Sequence, residues 1–113
     1  MPHELRTLAQ HIQSHLRYAH DPSLELLELC LQHLLHFNAL SLLDVYEFAR
    51  NLTSTSDDAL YLVATAVIHS YSINRDLSYS LYCHVIERVR NEQHFSETTL
   101  AQCSIAIFLH NKT

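Results

Sequence analysis

Apolar residues recur along this chain at i, i+3, i+4, i+7 and i+8 in three stretches, each opened by a serine. Ser23, Ser56 and Ser96 align at separations of 33 and 40 residues. Behind them fall Leu27/Leu60/Leu100, Cys30/Val63/Cys103, Leu31/Ala64/Ser104, Leu34/Val67/Ile107 and Leu35/Ile68/Phe108. That spacing gathers the apolar positions on one face of an α-helix. A period of this length is the signature of stacked helical hairpins.

The pattern predicts six helices. The first covers about 3–19, with Pro2 at its start and Leu5, Leu8, Ala9, Ile12 and Leu16 on one face. Asp21-Pro22 reads as a cap and an N1 proline that open a second helix over about 22–38. This second helix is apolar nearly all round, which predicts burial between layers. A third spans about 42–52, where Ser41 and Asp44 form a variant capping box and Leu40 can staple onto Val45. The polar run 51–58 ends in a cap at Ser56 and leads into a fourth helix over about 57–72, with Asp57 and Asp58 in its first turn. Asp76 is the expected cap of a fifth over about 77–91, and Ser96 of a sixth that runs to about Leu109.

The odd-numbered helices repeat as well. Leu5/Leu42/Tyr79, Leu8/Val45/Tyr82 and Ile12/Ala49/Ile86 coincide at a separation of 37 residues. Two alternating helix types therefore share the chain. The expected fold is all-α: one helical-repeat domain over 1–113, an α–α superhelix or solenoid of about three stacked antiparallel hairpins, complete or a segment of a longer solenoid. A six-helix globular bundle is the competing arrangement.

Composition sharpens this picture. The chain has 113 residues, 48% of them hydrophobic, and no glycine, which argues for helices joined by short turns. No run approaches the roughly 20 apolar residues of a membrane span. Net charge is −5, with Lys112 the single lysine, so the overall balance disfavours an unaided nucleic-acid binder. Three cysteines, Cys30, Cys83 and Cys103, lie in apolar helical stretches and read as buried free thiols of a reducing, intracellular compartment.

Ten histidines invite a metal hypothesis. His11/His15 and His33/His36 each share a helix face, but two ligands do not make a structural zinc site, and no metal or cofactor is expected. His36 and His69 occupy equivalent repeat positions, which points to a packing role. Without glycine there is no nucleophile elbow and no phosphate-cradling loop, so an enzyme is not expected. A Cys/His pair assembled in space stays open on sequence alone.

A resemblance enters with three segments: Asp57-Asp58-Ala59-Leu60-Tyr61-Leu62-Val63-Ala64, Leu81-Tyr82-Cys83-His84-Val85-Ile86-Glu87-Arg88-Val89 and Phe95-Ser96-Glu97-Thr98-Thr99-Leu100-Ala101. These resemble the heptatricopeptide type of helical repeat, a tricopeptide-like unit of about 37 residues in two helices. The resemblance covers about 20–110. It implies an organellar, often mitochondrial, RNA-associated protein working in transcript processing or in a ribosome-type assembly.

Two surfaces are candidates for binding. Arg17, Arg50, Arg88 and Arg90 fall in the last turns of the odd-numbered helices. Helix-dipole complementarity accounts for such placement, and a stack would also align them as a basic edge for RNA phosphates. Tyr71, Tyr79 and Tyr82 cluster at the turn between the fourth and fifth helices. Tyr79 and Tyr82 sit at core-type positions, whereas Tyr71 is the one expected at the surface. The last helix carries Ile105, Ile107, Phe108 and Leu109 with no polar helix behind it. Terminal units of solenoids need cover, so a protein partner, a continuing solenoid or self-association is expected there. The expected function is a non-catalytic scaffold or adaptor docking into a larger assembly. Direct RNA binding through the arginine edge is the alternative, and a small standalone helical adaptor the third possibility.

Overall fold

The computed structural model describes residues 14, 23–38 and 40–112, and among them the chain forms five α-helices and no strand. They are α1 (Leu24–His36), α2 (Leu42–Leu52), α3 (Ser56–Ser70), α4 (Arg75–Asn91) and α5 (Glu97–Asn111). The helix expected over about 3–19, with Arg17, His11 and His15, lies outside the described residues.

Each helix starts on a side-chain cap. Ser23 Oγ accepts from the Leu26 N–H at 3.1 Å. Ser41 and Asp44 make the expected capping box, with bonds of 3.2 and 2.9 Å in opposite directions. Two caps differ from expectation. Thr55, not Ser56, caps α3 by accepting from the Asp58 N–H. Asn74, not Asp76, caps α4 by accepting from the Leu77 N–H. In both cases a residue with extended or irregular backbone stands one or two places earlier and reaches the orphan N–H first. Helix α1 likewise begins after Ser23, so Pro22 is not its first residue.

The turns work without glycine. Asn38 (φ 54°) and His94 (φ 79°) take the left-handed conformations that follow α1 and precede α5. Asn38 also accepts a 3.3 Å bond from the Asn74 side chain, which ties the end of α1 to the start of α4.

Helix α3 packs against all four other helices. Its Leu60, Leu62, Val63, Ala64, Thr65, Ala66 and Val67 are all buried. Small side chains let four neighbours approach closely, and the two polar intruders are satisfied. Thr65 donates to Tyr61 O and accepts from Gln102, while Ser70 donates to Ala66 O. The layer-spanning helix expected from composition was the segment 22–38. That expectation is corrected: Leu29 of α1 is 63% exposed and Leu26 also stands out, because among the described helices α1 packs mainly on α3.

Cross-contacts set the directions. Ser96 donates to Asp57 and Gln102 to Thr65, so α3 and α5 run parallel, and α1 runs with them, since Leu24 shares a hollow with Asp58 while His36 shares another with His69. Ser78 at the start of α4 donates to Val67 O near the end of α3, and Arg88 near the end of α4 meets Ser56 at the start of α3. Helix α4 is therefore antiparallel to α3. No described helix is long and apolar enough to cross a membrane.

Candidate functional site

Two of the four predicted arginines meet in one cleft. Tyr46, Ala49 and Arg50 of α2, the 53–55 turn, Ser56, Ala59 and Val63 of α3, and His84 and Arg88 of α4 enclose about 550 Å³. Ala49, Ala59 and Val63 make an apolar floor. Hydroxyls and guanidinium groups form the rim. Arg90 is exposed but does not line the cleft, and Arg17 lies outside the described residues. Of the four arginines, Arg50 and Arg88 therefore share this cleft.

Its charge is also less positive than the sequence suggested. Arg88 Nε pairs with Glu92 Oε2 at 2.5 Å, and its Nη2 donates to Glu92 Oε1 at 3.1 Å and to Ser56 Oγ. Ser56 Oγ donates on to Glu92 at 3.2 Å. Glu92 sits four residues after Arg88, a spacing that brings the two side chains onto one helix face. Bonds from Arg88 hold the Glu92 carboxyl below the usual range. Arg50 is exposed and is the cleft's more available cation. His84 packs on Tyr46 with ring centroids 4.7 Å apart. Burial, and then the Arg88 charge, push its pKa down, so the ring is neutral at pH 7. Such a cleft suits an anionic group carried on an apolar body.

A second cluster forms at the opposite ends of α3, α4 and α5. The three tyrosines expected together gather around His110, at 5.0 Å for Tyr71, 5.8 Å for Tyr79 and 4.8 Å for Tyr82. Ser78 gives its only proton to Val67 O at 2.8 Å, so it accepts from His110 Nε2 at 2.8 Å. Burial, then Arg75, lowers the His110 pKa. Two cations lie near the Tyr71 ring, the Arg75 guanidinium 3.7 Å and Lys112 Nζ 5.8 Å from its centre. The surface roles are exchanged from expectation: Tyr71 is half-buried and Tyr79 is 56% exposed. Tyr79 sits on the outer side of α4, beyond the Leu77/Ser78/Leu81/Val85 face that packs inward.

The cysteines split three ways. Cys103 is buried, Cys30 half-buried and Cys83 exposed, which corrects the reading of three buried thiols. Burial raises the Cys103 pKa to about 11, so that thiol stays protonated and is a poor nucleophile. Among the described residues no three His, Cys, Asp or Glu side chains converge on a metal position. His33 and His36 both pack edge-on against Phe37, at 4.9 and 5.4 Å.

The third feature is the outer face of α5. The repeat template puts Leu100, Cys103, Ser104, Ile107 and Phe108 inward; Cys103 is buried as expected, but Thr99 and Ala106 join it in place of the other four. Leu100, Ile105 and Phe108 stand 41%, 50% and 64% exposed, while Ile107 and Leu109 are half-buried on the flanks. The cause is the set of neighbours. Helices α1 and α5 are capped at Ser23 and Ser96, in the register of the serine alignment, yet α1 buries Leu27, Leu31, Leu34 and Leu35, whereas α5 meets its neighbours through Thr99, Cys103 and Ala106. Counted from their caps, Thr55 and Ser96, α3 and α5 align one residue beyond the serine alignment. In cap register the exposed Leu100, Ala101, Ser104, Ile105 and Phe108 match Ala59, Leu60, Val63, Ala64 and Val67 of α3. The last four of these are fully buried, and Ala59 is half-buried. A face that the molecule covers in α3 is open in α5.

Sequence reasoning missed the latch that orients this face. Asp57 was expected only to favour the α3 dipole. It also accepts from the Ser96 N–H at 2.7 Å, Ser96 Oγ at 3.0 Å and Thr99 Oγ1 at 3.1 Å. Burial alone would raise its pKa, but these bonds outweigh burial and hold the carboxyl below its ordinary value. The residues Tyr46, Ser54 and His84 of the cleft were missed too, because they converge from separate elements. Comparison of the chain with protein-family models, curated proteins and solved structures finds no match in any of the three.

Proposed function

We propose that this chain is a non-catalytic helical-repeat scaffold that docks into a larger assembly through the outer face of α5. The parallel set α1, α3 and α5, with α4 antiparallel to it and α2 packed alongside α3, supports a stack of hairpins. The reading rests above all on Leu100, Ile105 and Phe108 standing exposed on α5, where α3 in the same cap register is enclosed. An apolar stripe of this kind on a folded domain marks an interaction surface. The heptatricopeptide-like segments support placing that assembly in an organellar, mitochondrial ribonucleoprotein.

The test is affinity purification of the tagged full chain from its native cells, with and without ribonuclease, beside the Phe108→Glu variant. Loss of the co-purifying assembly in Phe108→Glu, with ribonuclease making no difference, is the expected result. An assembly kept intact by the variant overturns the reading.

Direct RNA binding is the second reading, and one observation favours it: Arg50 and Arg88 share a cleft with the Tyr46 and His84 rings, as phosphate and base contacts require. It predicts RNA retention at about 50 mM salt that falls steeply as salt rises and is lost in Arg50→Gln. Absence of retention at low salt removes it.

A further inference from the structure

The exposed stripe on α5 has an order that speaks to its occupant. Glu97, Ala101, Ser104, Ile105, Phe108 and Lys112 are all exposed. At about 100° per residue they lie within about 50° of one line along the helix. Lys112, the C-cap, keeps helical backbone angles (φ −81°, ψ −6°), so its backbone continues that line, and its exposed side chain, whose Nζ lies 5.8 Å from the Tyr71 ring centre, is free to swing to the partner. Along it run an acid, two small residues, two large apolar residues and a base.

That order is its own complement. Lay a second α5 antiparallel across the first, with a two-fold axis between Ser104 and Ile105. Glu97 then meets the partner's Lys112, Ala101 meets the partner's Phe108, and Ser104 meets the partner's Ile105. Acid faces base and small faces large at every step, as an isologous interface demands. The helix dipoles also oppose, with each N-terminus beside the partner's C-terminus. Nothing in the middle of the stripe resists burial. Ser104 already donates to Leu100 O at 2.8 Å, so its hydroxyl needs no water, and Glu97 and Lys112 at the two ends are the charges on the line.

We infer that the occupant of the α5 face is a second copy of this chain, bound as an antiparallel α5–α5 pair about a two-fold axis. The inference rests on reading α5 as the docking face and names what docks there. The contact line is about 22 Å long, which is short for a protein interface. The dimer is therefore weak, with a dissociation constant on the order of 10–100 µM.

Sedimentation of the full chain from about 1 to 200 µM tests it. A monomer–dimer equilibrium is expected for the wild type. Phe108→Glu should weaken it at least ~30-fold, because a charge would face Ala101 in an apolar contact. Glu97→Lys and Lys112→Glu should each weaken it roughly five- to tenfold by setting like charges together. The double variant carrying both should return to within about threefold of the wild type, because the pairing is restored in reverse. All four variants change exposed residues, so circular dichroism should be unchanged. A wild type that stays monomeric at about 200 µM, growth beyond the dimer, or a double variant no better than either single one overturns the inference. A monomeric wild type whose cellular assembly is still lost in Phe108→Glu overturns the α5–α5 pair and leaves the docking reading standing. A dimer whose Phe108→Glu variant keeps its cellular assembly does the reverse.

Discussion

Helices α3 and α5 have the same length, run parallel and are joined at their first turns by the Asp57–Ser96 contacts. They nevertheless live in different surroundings. Helix α3 packs against all four other described helices and buries Leu60 together with the six consecutive residues from Leu62 to Val67. Helix α5 buries Thr99, Cys103 and Ala106, and turns Leu100, Ile105 and Phe108 outward. Both are apolar. Amphipathic patterning therefore does not tell the two apart, because an apolar residue is equally consistent with a core and with a docking face. What differs is the presence of a helix on the far side.

The contrast is sharpest in truncations. Leu60→Ala in α3 should cost about 2–5 kcal/mol, since it leaves a cavity among four helices. The matching truncation on the open face of α5, Phe108→Ala, should change the stability of the isolated chain by less than about 0.5 kcal/mol. Urea unfolding at low protein concentration measures both. Equal losses would mean that α5 is as enclosed as α3.

The latch between the two helices comes next. Asp57→Ala removes the acceptor of three bonds from Ser96 and Thr99. A cost of about 1.5–3 kcal/mol is expected for hydrogen bonds to a charged group, at the lower end because the site is near solvent. The folded pKa of Asp57 lies below its unfolded value. Its contribution is present in full above the unfolded pKa and fades as pH falls through the folded one. Unfolding curves measured from pH 6 down to pH 2 should thus converge for wild type and Asp57→Ala. Curves that stay parallel would assign the stability to another group.

Caps give a smaller effect that fixes the register. Thr55→Ala should cost about 1 kcal/mol by losing the bond to the Asp58 N–H, whereas Ser56→Ala loses no cap and touches only the Arg88–Glu92 cluster. If Ser56→Ala were the costlier change in thermal unfolding, the α3 register and its match to α5 would be wrong.

The smallest effect comes from three histidines, one each in α3, α4 and α5. His69, His84 and His110 all have pKa values pushed below 6.5, with burial the first cause in each. The unfolded chain binds protons at these sites before the folded one does. Stability should therefore be full above the unfolded value of about 6.5 and decline as pH drops toward 5. His110→Gln should flatten part of that decline, read from urea midpoints between pH 7.5 and 5. An unaltered slope would show that the His110–Ser78 bond carries none of it.

Much of the local structure was legible in the sequence. The five described helices, their lengths, the Ser41–Asp44 box and the Ser96 cap follow from periodicity and capping chemistry, which act over three or four residues. The gathering of Tyr71, Tyr79 and Tyr82 near one turn was legible for the same reason. The choice of Thr55 over Ser56 was not, because either hydroxyl can cap and only the chain's path into α3 selects one. Nor was the outward side of α5: Ser96 caps that helix as expected, and only the positions of its neighbours put Thr99 inward and Phe108 outward.

What the sequence by itself determined is where helices start, stop and carry apolar surface, since these depend on neighbours along the chain. Tertiary structure alone decided which apolar surface is core and which is open, that Arg50 and Arg88 share a cleft while Arg90 does not, and that Glu92 tempers Arg88 there. Those outcomes depend on the distances between helices that are 30 to 40 residues apart in sequence, and nothing within a single helix encodes them.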